Sequence, residues 1–185
     1  ADKYRQRLSE LKDHANPGLV AGLAETGTKE DIPLIKEFID HKKPKIRASA
    51  LAGLNRLEAE DVDNLYFLGL QDDNAKVRNT CVSILQSGYS HLRPELEDLL
   101  ENGNSKSQKS TLKVLMHYGV LDSLQDILFA LTEPYEELQE MAWQYLASWH
   151  HQHAVKLWFR FSDDTYKNTV RLLNELRKTE VEPPC

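Results

Sequence analysis

The sequence predicts an all-α solenoid, a row of about six helical hairpins. Three observations predict it. Apolar residues recur every 31 positions, as Leu34, Leu65, Leu96, Ile127 and Trp158. Two further ladders share that spacing: Leu19, Ala50, Cys81, Leu112, and Leu23, Leu54, Leu85, Met116. Each period also holds two apolar stretches at three-to-four spacing, which means two helices per unit. A fixed period of this length marks an array whose units pack on their neighbours.

The hairpins follow in order. In the first, Asn16-Pro17 start a helix, and Ala15, Leu19 and Leu23 keep one register. In the second, Thr28-Lys29-Glu30-Asp31 has the form of a capping box, with Asp in place of the usual Glu. Ile32, Ile35 and Ile39 follow at helical spacing. Pro44 restarts a helix where its missing N–H is not needed, and Ile46, Ala50 and Leu54 share one face. The third hairpin repeats this with Val77, Cys81 and Leu85, the fourth with Gln108, Leu112 and Met116. The fifth has Leu138, Ala142 and Leu146, slipped by one residue, so its inner loop is expected to be one residue shorter. The sixth has Val155 and Trp158, then Ser162-Asp163-Asp164 to start a last helix through about Arg177. Turn residues fall between the helices: Gly27, Asp72-Asp73-Asn74, Gly103-Asn104 and Glu133-Pro134. The chain is expected to be one continuous domain over 1–178, with a disordered tail over 179–185.

Composition narrows the function. An apolar fraction of 41% suits a packed core and excludes a disordered chain. No run approaches the roughly 18 apolar residues of a membrane span, and no secretory leader is visible. Cys81 sits on a core ladder and reads as a small buried apolar residue. With Cys185 at the end of a Glu-Pro-Pro-Cys stretch, this usage suggests a reducing compartment, the cytoplasm. There is no Gly-rich phosphate loop, nucleophile elbow, Cys-His pair or paired metal motif. No catalytic residue and no cofactor is therefore expected. In His150-His151-x-His153, only His150 and His153 share a helical face, and no second cluster supplies further ligands. These histidines are expected in a loop between the fifth and sixth hairpins, without a metal.

Lys43-Pro44-Lys45-Ile46-Arg47-x-x-Ala50-x-x-x-Leu54 resembles the second helix of a HEAT repeat, and so does Asn74-Ala75-Lys76-Val77-Arg78-x-x-Cys81-x-x-x-Leu85. The pattern weakens where Gln108-Lys109 and Leu138-Gln139 replace the aliphatic-Arg pair. The resemblance implies a right-handed superhelix with first helices on the convex side and second helices on the concave side. It also implies that Arg47 and Arg78 tie neighbouring units together. The motif speaks for fold and is nearly silent on activity.

Charge supplies the functional clue. The second helices over 43–57, 74–87 and 105–118 carry Lys43, Lys45, Lys76, Lys106, Lys109 and Lys113, and no Asp or Glu. The first helices lean acidic, with Glu37, Asp40, Asp63, Glu97 and Asp126 among their carboxylates. With the family geometry, the concave face is a basic strip that draws an anionic ligand despite a net charge of −6. The expected function is a non-enzymatic protein-interaction scaffold that binds an acidic protein segment there. Nucleic-acid binding is the alternative, in the manner of HEAT-like DNA glycosylases, with Trp143, Glu140 and the lysines as its pieces. A lyase of the HEAT-like phycobilin type is a further alternative resting on fold analogy. The di-iron chemistry of deoxyhypusine hydroxylases, which resemble this fold, is excluded because no His is followed by Glu. Trp143, Trp149 and Trp158 gather toward the C-terminus. They are expected to close the last hairpins as a packed cap, the alternative being an aromatic binding patch.

Overall fold

The computed structural model describes residues 1–118, 123–153 and 163–179. Among these, every regular element is helical. The chain divides into two compact units, Ala1–Gly88 and Tyr89–Cys185.

Unit 1 contains α1 (Asp2–Leu11), α2 (Pro17–Thr26), α3 (Ile32–Lys36), α4 (Pro44–Arg56), α5 (Asp63–Leu70) and α6 (Ala75–Gln86). They pair as three hairpins. The second helices also pack side by side, α2 on α4 and α4 on α6. The expected start signals operate. Asn16 Oδ1 accepts the Leu19 N–H at 3.0 Å, Thr28 N–H donates to Asp31 Oδ2 at 2.9 Å, and Pro44 opens α4. Arg5 of α1 closes on the same Asp31, with Nε and Nη2 at 2.5 and 2.8 Å. Ile46, Ala50, Leu54, Val77, Cys81 and Leu85 are buried, so the two second-helix ladders form the core of the hairpins. A Cβ at Gly69 would collide with Cys81 Sγ, and its absence lets α5 lie close on α6.

Unit 2 contains α7 (Arg93–Asn102), α8 (Ser105–Tyr118), α9 (Ser123–Thr132), α10 (Glu136–His153) and α11 (Asp163–Thr179). α7 pairs with α8 and α9 with α10, and α10 also reaches α8. The last helix, expected as the second helix of a sixth hairpin, packs on α9, which is a first helix. Thr179, assigned from sequence to the tail, is its final residue. Val155, Trp158, Ser162 and the tail from 180 onward lie outside the described residues.

In the second-helix ladder Leu19 is half-buried and its neighbour Val20 takes the core position. The first-helix register departs from a uniform 31-residue ladder at one place. Leu34 and Leu65 are half-buried, and their neighbours Ile35 and Tyr66 take the core position. In unit 2, Leu96 and Ile127 themselves are buried. Ile35 precedes Ile46, Tyr66 precedes Val77 and Ile127 precedes Leu138 by 11 residues, whereas Leu96 precedes Gln108 by 12. The fifth hairpin is thus one residue tighter than the fourth, as expected, but the fourth is the exception. The same hairpin has a polar interior. α8 buries Ser107, Gln108, Ser110 and Thr111. Gln108 Nε2 donates to Leu100 O at 3.0 Å and to Glu133 Oε2 at 2.9 Å.

Candidate functional site

The conspicuous arginines of the second helices are structural. Arg47 Nε and Nη2 each reach an Asp72 carboxylate oxygen at 2.8 Å, and Nη1 donates to His41 O at 2.8 Å. Arg78 Nη1 donates to the Asp72 and Asp73 carbonyls at 2.7 and 2.9 Å. Asp72, in the turn of the third hairpin, is therefore gripped from two sides. Burial pushes its carboxyl up. The bonds from Arg47 and the Asn74 N–H, with the charges of Arg47 and Arg78, outweigh that and hold it below its ordinary value.

The role survives where the motif fails. Gln139 Nε2 donates to Glu133 O at 2.8 Å, six residues back, as Arg47 does to His41 O and Arg78 to Asp72 O. Gln139 closes the turn without a guanidinium, which the sequence pattern alone does not reveal. Lys109 does not follow it. Its ammonium pairs with the Glu137 carboxylate at the start of α10 and holds that acid below its ordinary value.

With the arginines committed, the lysines define the candidate surface. In unit 1, Lys43, Lys45 and Lys76 are exposed. Lys45, Ser49, Ala52 and Arg56 form the outward stripe of α4, and Lys76, Asn79, Thr80, Ser83 and Ser87 that of α6. The Ser49, Thr80 and Ser83 hydroxyls donate to the carbonyls of Lys45, Lys76 and Asn79 at 3.0, 2.9 and 3.1 Å. Those donations leave their oxygens able to accept. An open groove of about 700 Å³ runs between α4 and α6, with Asn55, Lys76, Asn79, Thr80, Ser83 and Ser87 along it. Among the described residues, no carboxylate or aromatic ring lines it.

In unit 2 the strip has a different character. Lys106 is exposed, and Lys109 and Lys113 are half-buried on α8. Lys109 and Lys113 border a groove of about 550 Å³ whose other wall carries Glu137, Glu140, Gln144 and Tyr145 from α10. This groove is mixed in charge, because α10 presents its own acids to the lysines.

Trp143 is half-buried on α10, and its Nε1 is enclosed without a hydrogen-bond partner. The side chain of Trp149 and all of Trp158 lie outside the described residues. His150, His151 and His153 belong to the last turn of α10 and not to a loop, because the helix continues to His153. Among the described residues, no group of three or more His, Cys, Asp or Glu is placed to hold a metal. Cys81 is fully buried, and its thiol is pushed up to about 12 by burial and by the charge of Asp72. Among the described residues, no helix is long and apolar enough to cross a membrane. The chain matches no family model and no curated protein sequence.

Proposed function

We propose that the chain is a HEAT-like α-solenoid acting as a non-enzymatic scaffold, and that it holds an acidic segment of a partner protein along the concave face of its second helices. The observation that carries this is the α4–α6 groove. Lysine, amide and hydroxyl groups line it, without a carboxylate of its own. Lys45 and Lys76 would draw the acidic side chains in, and Asn79 with the serine oxygens would bond the peptide backbone. Within unit 2 the lysines of α8 are the weaker candidate, since Lys109 already has Glu137 as its partner. An acidic peptide fits better than single-stranded nucleic acid, because the groove lacks a ring on which bases could stack.

The test is fluorescence anisotropy with a labelled Glu/Asp-rich peptide and with labelled single-stranded DNA, each at about 50 and about 200 mM salt. The control is a Lys45→Glu, Lys76→Glu variant. The proposal expects peptide binding that the variant weakens at least tenfold. DNA binding stronger than peptide binding would transfer the site to nucleic acid. Failure of both probes at low salt would remove the groove as a ligand surface.

A further inference from the structure

Unit 1 has a second concavity, formed on the side of its first helices. A cleft of about 290 Å³ lies between the end of the second hairpin's first helix and α5. Ile39 borders it on one side and Leu65 and Leu68 on the other, above a floor that includes Leu51 and Val77. Leu68 is 64% exposed, more than any other large apolar side chain among the described residues. The Arg47–Asp72 pair also borders the cleft, but each group is already satisfied by the other. The remaining charge at the mouth is Asp40, which is exposed, and Glu37, also exposed, lies three residues before it. The Arg47 guanidinium is raised above its ordinary value mainly by Asp72, with Asp40 and Asp73 adding to the effect, so these acids act on one small region.

Size and charge together select the occupant. The cleft falls at the bottom of the range for small-molecule sites and fits one or two aliphatic side chains. Its apolar walls stand beside the exposed carboxylate of Asp40, so the complementary ligand is aliphatic at its centre and cationic on that side. We propose that this cleft is a docking socket for a basic segment of a partner protein. The segment inserts one leucine-like side chain beside Leu65 and Leu68 and sets a lysine or arginine against Asp40. The occupant, the charge and the helices involved differ from those of the α4–α6 groove, so the two proposals stand or fall separately.

The experiment uses the full chain and a short labelled peptide of Lys, Arg and Ala with one central Leu. Two control peptides replace that Leu with Ala, or the basic residues with Glu. Affinity is read by anisotropy, and the site by amide chemical-shift changes. The proposal expects shifts at Ile39, Asp40 and Leu65–Asp72. It expects roughly tenfold weaker binding for the Leu→Ala peptide, an effect typical of losing one buried aliphatic anchor. Leu68→Lys should abolish binding, and because Leu68 is exposed the variant should melt like the parent. If Leu68→Lys does melt early, Asp40→Lys serves in its place, with the same loss expected. Three results overturn the proposal: no binding, equal binding to the parent and the variants, or shifts confined to the α4–α6 groove. Concentration-dependent self-association that disappears in Leu68→Lys would also overturn it, assigning the cleft to a second copy of this chain.

Discussion

Replacing Arg47 with Ala removes four hydrogen bonds at once, two to Asp72 and one each to His41 O and Lys42 O. The Arg47 and Asp72 side chains are only 19% and 13% exposed, so water cannot fully replace the lost partner. An exposed ion pair contributes up to about 1 kcal/mol, whereas removing one member of a buried pair costs about 3–5 kcal/mol. This pair lies nearer the second limit. Its carboxylate keeps the Asn74 N–H at 2.8 Å, which moderates the loss. The expected cost is about 3 kcal/mol. Urea unfolding followed by circular dichroism measures it. The pH dependence isolates the cause. The Asp72 carboxyl is held below its ordinary value in the folded protein, so its contribution is fully present above the unfolded value, near 4. That contribution is lost as pH falls through the lower folded value. The gap between the parent and Arg47→Ala should therefore be wide at pH 7 and shrink in acid. A gap below about 1 kcal/mol at neutral pH, or one that stays constant into acid, would refute the reasoning.

Four further outcomes follow from the same contacts. Glu137→Gln should free Lys109 and make the α8–α10 groove of unit 2 bind the acidic peptide about threefold more tightly, read by anisotropy at low salt. Gln139→Leu loses the donor to Glu133 O and should cost about 1–2 kcal/mol in a urea melt, although this position lacks the motif's usual arginine. Ala50→Asp places an unpaired charge on a fully buried ladder position and should cost more than about 4 kcal/mol, so a melt matching the parent would sink that ladder. The Cys81 thiol, pushed up to about 12 and fully buried, should react with a thiol reagent at neutral pH only as fast as the protein unfolds. Fast stoichiometric labelling of the folded chain at that position would contradict its burial.

The second helices of unit 1 were legible because each starts on a residue with local chemistry: Asn16 before Pro17, Pro44, and Asn74 before Ala75. The second-helix ladder was legible in the middle hairpins. Ala50, Cys81 and Leu112 are buried at a single spacing, whereas in the first hairpin Leu19 is half-buried beside a buried Val20 and in the fifth Ala142 falls one residue early. The first-helix ladder was legible only to within one residue. Leu34 and Ile35, like Leu65 and Tyr66, are both apolar, and periodicity cannot choose between adjacent apolar residues. The lysines were visible as a charge pattern, but their availability was not. Lys109 and Glu137 are 28 positions apart and meet only because α10 packs on α8. Leu68 carried no signal at all, since an apolar residue in an apolar helix reads as core until its surroundings are known.

The polar interior of α8 has a thermal consequence. Exposing apolar surface raises the heat capacity on unfolding, and exposing polar surface lowers it. Where unit 1 buries Val77 and Cys81 in its second helix, α8 buries Gln108 and Thr111 among its core residues. Opening that seam therefore adds less to the curvature of stability with temperature than opening an equal area in unit 1. As the hydrophobic contribution fades on cooling, the ladders of unit 1 lose more of their driving force than the amide and hydroxyl contacts of α8. A single chain thus carries two different responses to temperature.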